Sequence, residues 1–230
     1  MEMVNNIVDF IFPKTSIISD KKLDESNSNN YLFDDETSSL KTVTFTDLAD
    51  LSNKLISDLS FSHFAFYEGD DFSKIIYQLK YGGMKNLGVF MGELLGKELK
   101  KYFAEKDLPD FDYIIPVPLF KTKFRERGYN QADYICMGLS KVLGIGFENN
   151  IVRRIRHTKS QTKLNRDERI VNMKDAFVFN ESYSNKVAGK KIIVVDDVIT
   201  TGSTINEVIK IIRQHSEDEV MGCTLAMARD

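Results

Sequence analysis

Cysteine, histidine, net charge and long apolar runs are all scarce in this 230-residue chain, and each shortage removes a class of protein. The two cysteines, Cys136 and Cys223, fall in a predicted helix and a predicted strand, which points to reduced, buried, structural thiols and not to a disulfide framework. With three scattered histidines beside them, no zinc site assembles at the usual ligand spacings. A formal net charge of −3 gives no overall electrostatic reason to bind nucleic acid or an anionic membrane, so such binding needs a local patch. No apolar run approaches membrane-spanning length and MEMVNNIVDFIF has no positive n-region, so neither membrane insertion nor secretion is expected and the expected location is cytoplasmic. A nucleotide-binding phosphate loop is missing too: Gly92, Gly96, Lys97 and Glu98 come nearest, with the wrong spacing and no metal-binding hydroxyl. What is left, 42% apolar and 28% charged, is an ordinary soluble composition, long enough for one α/β domain with a modest extension.

The chain is organised around residues 191–207, KIIVVDDVITTGSTINE. Ile192, Ile193, Val194 and Val195 form the unbroken β-branched run of a strand buried on both faces in a parallel sheet. Asp196 and Asp197 stand where that strand is expected to end. Thr200, Thr201, Gly202, Ser203 and Thr204 follow, then Ile205, Val208, Ile209 and Ile212 at helical spacing, with Thr204 and Glu207 fitting a capping box that starts the helix. A helix N-terminus offers unpaired N–H groups and a positive dipole end, and Gly202 lets a phosphate approach the backbone. The two acids suit hydrogen bonds from sugar hydroxyls, or a metal held through water. A Walker B strand would need the missing phosphate loop, and a receiver domain would need a full sheet after the acids, where only about thirty residues remain.

The rest of the chain repeats the theme of strand, loop and helix. Residues 1–60 read as an N-terminal extension: a short apolar piece ending at Phe12 and Pro13, a polar acidic linker, then a helix capped by Thr46 with Leu48, Leu51, Leu55, Ile56 and Leu59 on one side. Residues 61–230 read as the main domain. A helix with Phe72, Ile75, Ile76 and Leu79 inward ends at Gly82 and Gly83, and places Lys80 at its C-terminus, either as dipole complement or as phosphate ligand. A second helix from about Leu87 to Phe103 carries Gly88, Gly92 and Gly96 at four-residue spacing, which predicts close packing against a neighbour. FDYIIPV reads as another central strand, ended by Pro116 and Pro118. After it come a basic loop with Lys121, Lys123, Arg125 and Arg127, the turn at Gly128, and a helix opened by Asn130 and Gln131. Ligands of open parallel sheets bind outside such strand ends, and a basic loop there suits a polyanion such as pyrophosphate. Residues 151–174 alternate cations with hydrogen-bonding side chains, the composition of a loop or hairpin that closes over anions, with Arg154, Arg156, Gln161 and Arg169 as the candidate contacts. That stretch has no aromatic residue for stacking bases, which weighs against a single-strand nucleic-acid reading.

VVDDVITTGST resembles the phosphoribosyl-pyrophosphate (PRPP) motif of type I phosphoribosyltransferases. With YEG and LKYGG, PVPLFKTKFRERGYNQA and RRIRHTKSQTKLNRDERIVN before it, it resembles the ComF family, a bacterial phosphoribosyltransferase-like family linked to competence for DNA uptake and similar to the sugar-transferring half of glutamine PRPP amidotransferase. The resemblance implies an α/β fold: a type I phosphoribosyltransferase-like parallel sheet flanked by helices, with a small N-terminal extension. It implies that Asp196 and Asp197 bind ribose hydroxyls and hold Mg²⁺ through water, and that Thr200, Thr201, Gly202, Ser203 and Thr204 bind the 5′-phosphate. Pro116, Val117, Pro118 and Leu119, with Arg127 and Lys80, would line the pyrophosphate site, and Arg154, Arg156, Gln161 and Arg169 would belong to a flexible loop. Asp196, Asp197 and Arg127 would carry catalysis. Phosphoribosyl would pass from PRPP to an unidentified nitrogen nucleophile with release of pyrophosphate, in DNA uptake or nucleotide metabolism. The alternatives are a non-catalytic sensor of PRPP or another ribose-5-phosphate-containing nucleotide, and an interaction protein of the competence machinery that binds partner proteins or single-stranded DNA. Oligomeric state stays open, a dimer being compatible. Family members carry a four-cysteine zinc module after a Phe-Pro like Phe12 and Pro13; KTSIISDKKL has no cysteine there, so no zinc is expected.

Overall fold

The computed structural model of the protein describes residues 14–24, 27–156 and 175–229. Residues 1–13, with Phe12 and Pro13, and 157–174, with Gln161 and Arg169, lie outside the described residues. Five strands, β1 (Leu59–Phe66), β2 (Tyr113–Pro116), β3 (Gly146–Phe147), β6 (Ile192–Ile199) and β7 (Val220–Ala228), form one sheet in the order β1-β7-β6-β2-β3, with every neighbouring pair parallel. β4 (Val152–Arg154) and β5 (Phe177–Phe179) make a separate antiparallel pair, and the short helix α7 (Ser184–Val187) stands between β5 and β6.

Helices cover both faces, as the expected fold class requires. Ile192, Ile193, Val194 and Val195 of β6 are fully buried and alternate between two cores, because successive strand residues point to opposite faces. On one face Ile193, Val195 and Ile114 pack against α3 (Asp71–Tyr81), α4 (Lys85–Lys106) and α6 (Gln131–Leu143) through Phe72, Ile75, Leu79, Met91, Leu95, Ile135 and Leu139. On the other, Ile192, Val194 and Ile115 meet α2 (Phe45–Lys54), α8 (Ser203–Arg213) and the β4–β5 pair through Leu51, Leu55, Ile205, Val208, Ile209, Val152 and Phe177. Cys136 and Cys223 are free thiols within the first core.

Several boundaries differ from the sequence reading, each for a local reason. α2 starts at Phe45 under a Thr44 cap, not at Thr46: Asp47 accepts from Thr44 N at 2.6 Å and donates its own N–H to Thr44 Oγ1 at 3.2 Å, whereas Ala49 stands three residues after Thr46. α2 stops at Lys54, so Leu59 belongs to β1 and Ile56 to the exposed turn between them. The basic stretch after β2 is helix and not loop: α5 (Lys121–Arg127) runs from extended Phe120 to Gly128, which leaves it at φ +77°. α8 starts at Ser203 with Gly202 as its N-cap at φ +77°, one residue before the expected Thr204–Glu207 box, and Glu207 pairs with Lys210 instead.

The segment before β1 is tied to this frame at several points. Ser16 is fully buried and its hydroxyl donates to Glu36 Oε2 at 2.6 Å while accepting from Ile18 N and Ser19 N. The same carboxylate oxygen accepts from Phe33 N at 2.9 Å, ahead of α1 (Asp34–Ser39). Lys74 of α3 donates to Ile18 O at 2.7 Å, and Arg229 beyond β7 holds Asp47 with a bidentate pair that keeps its carboxyl well below the usual range. No helix among the described residues is long and apolar enough to cross a membrane.

Candidate functional site

The sheet opens at one place. From β6 the chain leaves through α8 to β7 on one side; from β2 it leaves through α6 to β3 on the other. Connections that depart in opposite directions create a crevice at the carboxyl ends of the two strands, the usual ligand position in open α/β sheets. Pairing between β2 and β6 ends at Pro116 opposite Val195, followed by one more bond from Val117 N to Val195 O at 2.8 Å. β6 itself runs on to Ile199 beside β7 alone, with Asp196 opposite Thr224. The acid pair therefore lies inside the strand, where one edge has lost its partner, and not after the strand as the sequence reading had it.

Below the acids the chain forms a cradle. Asp196, Thr200, Thr201, Gly202, Ser203 and Thr204 line one concave pocket, in which Thr201 Oγ1 and Ser203 Oγ stand 3.1 Å apart. The pocket lies at the N-terminus of α8, where the first N–H groups of a helix have no intrahelical acceptors. Gly202 is required twice: its φ is positive, and a Cβ there would stand 2.8 Å from Lys54 O. Asn206 buttresses the turn by donating to Lys54 O at 2.8 Å and accepting from Ile56 N at 3.1 Å, so the end of α2 forms the floor of the cradle. Asn206 escaped the sequence reading, since its partners lie about 150 residues away.

Above the acids is a group of cations. Lys80, near the C-terminus of α3, reaches Asp197 Oδ2 at 3.4 Å. Its helix end is held by buried Tyr129, whose hydroxyl donates to Leu79 O at 2.6 Å. Lys123 and Arg127, four residues apart on α5, are the two side chains of that helix that are partly buried. Burial, with Arg154, Arg127 and Lys80 as neighbouring cations, pushes the Lys123 ammonium below its ordinary range, opposed by Asp197. Arg154, at the end of β4, packs its guanidinium 5.2 Å from the Phe177 ring centre; burial lowers its pKa and Asp196 opposes the shift. Thus Lys80, Arg127 and Arg154, which the sequence singled out, converge with Lys123, which it passed over among the other cations of that stretch. Arg156 is exposed beside the hairpin. Val117 is buried, accepting from Asn130 Nδ2 at 3.1 Å, and Pro118 and Leu119 lead from it to α5.

The acids are not equivalent. Burial, and then the adjacent Asp197 charge, push the Asp196 carboxyl up to about 8, against the pull of the Asp197 N–H at 2.9 Å and of Lys80. Among the described residues no cluster of three or more His, Cys, Asp or Glu could hold a metal by itself. Two adjacent carboxylates, one of them short of countercharge, nonetheless suit Mg²⁺, which takes one or two carboxylates and completes its shell with water and substrate phosphates.

Comparison with known proteins covers part of these elements, the family model taking in Arg154, β6 and the cradle but not Lys80, Lys123 or Arg127. A model of the phosphoribosyl transferase domain matches residues 134–230. The chain is 44% identical over 115 residues to competence protein F of Haemophilus influenzae, covering 50% of this chain and 50% of that protein. It is 28% identical over 182 residues to competence protein ComFC of Streptococcus pneumoniae, covering 79% of this chain and 75% of that one. It thus spans about half the length of some curated relatives it matches. Adenine phosphoribosyltransferase from Saccharomyces cerevisiae, at 19% identity, superposes with a TM-score of 0.39 over 81% of this chain and 90% of its own.

Proposed function

We propose that this chain, similar to the ComF-like phosphoribosyltransferases, is one of their family, that its β6–α8 cradle binds the ribose 5-phosphate end of PRPP and that the cations above it receive the pyrophosphate. The observation that carries this is the junction itself: two carboxylates on an unpaired strand edge, a hydroxyl-lined helix N-terminus below and four cations above. Asp196 and Asp197 accept hydrogen bonds from the ribose hydroxyls, and Thr200, Thr201, Gly202, Ser203 and Thr204 take the 5-phosphate. Asp196 and Asp197 would hold Mg²⁺ through water, and the ion would supply charge neutralisation at the diphosphate.

In the transfer the bond between C1 and the pyrophosphate oxygen breaks with its electron pair going to pyrophosphate, and a nitrogen lone pair forms the new bond to C1. The nitrogen then gives up its proton to solvent. Negative charge grows on the leaving group, so Lys80, Lys123, Arg127 and Arg154 act by stabilising it in place. The names of the two competence-protein relatives suggest DNA uptake as the setting. Calorimetric titration of PRPP with Mg²⁺ into the protein and into Asp196→Asn, Asp197→Asn tests the site: binding that the double variant loses is expected, and a folded wild type that binds nothing would overturn the reading. Turnover is tested by pyrophosphate release with a panel of bases and amines; release with none would leave a sensor.

The N-terminal segment is proposed to need no metal, because the Ser16 hydroxyl and the Glu36 carboxylate close the turn around residues 14–23. Elemental analysis of the purified protein is expected to find zinc far below one per chain, and a stoichiometric content would refute this.

A further inference from the structure

A row of polar side chains crosses the sheet inside its core. Ser62 on β1 is in register with Thr224 on β7, and Thr224 is in register with Asp196 on β6. Residues in register on neighbouring parallel strands stand side by side, about 4.8 Å apart, and point to the same face. Ser62 and Thr224 are fully buried, and their chain neighbours Phe61, Cys223 and Leu225 are buried apolar residues. Beyond β6 the row stops, because pairing with β2 ends at Val195. Thr224 is therefore the lateral neighbour of Asp196 in the sheet.

As a structural group the Thr224 hydroxyl has no explanation. Its oxygen is shielded from solvent and has no hydrogen-bond partner among the described residues. Ser62 does not satisfy it, since the Ser62 hydroxyl donates to Phe64 O across a long 3.4 Å. A buried hydroxyl without a partner costs stability, and valine offers the same shape without that cost. Every other residue of β7, VMGCTLAMA, is apolar or glycine. An orphaned donor in such a strand, beside a carboxyl that lines the ligand pocket, points to a partner taken up when the pocket is filled.

The Asp196 carboxyl is that partner. Its Oδ1 already accepts from the Asp197 N–H at 2.9 Å, which fixes one side of the group. We propose that Thr224 is a positioning residue of the ribose site: a turn about its Cα–Cβ bond brings the Oγ1–H onto the Asp196 carboxylate and holds it in the orientation that accepts the sugar hydroxyls. This rests on reading the β6–α8 cradle as the ribose-phosphate site. Being fully buried, Thr224 touches no ligand and acts through Asp196.

Calorimetric titrations of ribose 5-phosphate and of inorganic phosphate into wild type, Thr224→Val and Thr224→Ser test this, together with thermal melts of the three ligand-free proteins. Inorganic phosphate draws on hydroxyls, helix N–H groups or cations and on neither acid, whereas ribose 5-phosphate also needs Asp196 and Asp197. Thr224→Val is expected to bind ribose 5-phosphate about 10-fold more weakly, the worth of one hydrogen bond to a charged group, and to bind inorganic phosphate as wild type does. It should melt no lower than wild type, because the hydroxyl it lacks is unpaired without ligand. Thr224→Ser keeps the hydroxyl and should keep the wild-type affinity for ribose 5-phosphate. Unchanged binding of both ligands by Thr224→Val overturns the role of Thr224 and leaves the cradle reading standing. An equal loss of both ligands, or a lower melting temperature, makes Thr224 a structural residue and overturns the proposal as well. A wild type that binds ribose 5-phosphate no better than inorganic phosphate removes Asp196 as a sugar ligand and the proposal with it; one that binds neither removes the cradle reading too.

Discussion

Replacing Asp196 by asparagine is expected to make the protein more stable at pH 8 while weakening its hold on ribose phosphate. The carboxyl is pushed up to about 8 by burial and by Asp197, while in the unfolded chain it titrates near the ordinary carboxylate value of about 4. Between those values the folded state keeps a proton that the unfolded state has released, so stability falls as pH rises through the window. Asparagine carries no such cost. The gain should be small near pH 4 and reach on the order of 2 kcal/mol by pH 8, which for a chain of this length is about 4–8 °C in melting temperature. Thermal melts of both proteins from pH 4.5 to 8.5 test this; a variant that is less stable at every pH would show that Asp196 is ionised and held by a favourable partner. The same substitution should weaken PRPP binding roughly 10- to 100-fold, the worth of one or two charge-assisted hydrogen bonds. A site that is better folded without its acid is one in which the acid is retained for a ligand. Bound cation or sugar hydroxyls would stabilise the ionised form, so ligand binding at pH 7 should release a proton, visible as buffer-dependent heat.

What could be read from the sequence follows from which forces are local. β6 and its cradle were legible because a strand buried on both faces is a continuous β-branched run, and because small hydroxyl residues around a glycine leave a turn few alternatives. α3 was legible because Phe72, Ile75, Ile76 and Leu79 carry the helical period in apolar residues. α5 carries the same period in cations, Lys123 and Arg127, so a search for hydrophobic periodicity passes it by and a basic loop is read in its place. β1 was obscured by Ser62, a small polar residue that is fully buried in the middle of LSFSHFAF. Thr44 and Thr46 are indistinguishable as caps until Asp47 is seen to complete the box with one of them. The attachment of the N-terminal segment depends on Asn206 with Lys54 and Ile56, and on Arg229 with Asp47, pairs too distant along the chain for any local pattern to announce.

The largest loss of stability is expected from adding one methyl group where α4 crosses α6. The two helices touch backbone to backbone. A Cβ at Gly92 would stand 2.1 Å from Ile135 O, and one at Gly138 would stand 2.0 Å from Val89 O and 2.7 Å from Glu93 N. Neither neighbour is a flexible side-chain end, so relief requires the helices to move apart. Separation would loosen the layer in which Met91, Leu95, Ile135 and Leu139 are fully buried against the sheet. Alanine regains about 1 kcal/mol of helix propensity over glycine, but overpacking of a close contact costs about 1–3 kcal/mol and more when backbone must shift. Gly92→Ala or Gly138→Ala should each lose a net ~2–4 kcal/mol, measured by urea unfolding. The double variant should lose less than the sum, because the first methyl already opens the crossing for the second. Gly146→Ala is the control: a Cβ there meets nothing within 4 Å, and stability should change by less than about 0.5 kcal/mol. The consequence reaches the ligand site, because Asn130 at the start of α6 holds Val117 O, and Tyr129 just before it holds Leu79 O and with it the end of α3 that carries Lys80. If α6 shifts, the cations lose their register over Asp196 and Asp197, and PRPP affinity should fall along with stability although Gly92 and Gly138 touch no ligand. Variants that lose stability but keep full affinity would show that α6 repacks without moving Tyr129 and Asn130.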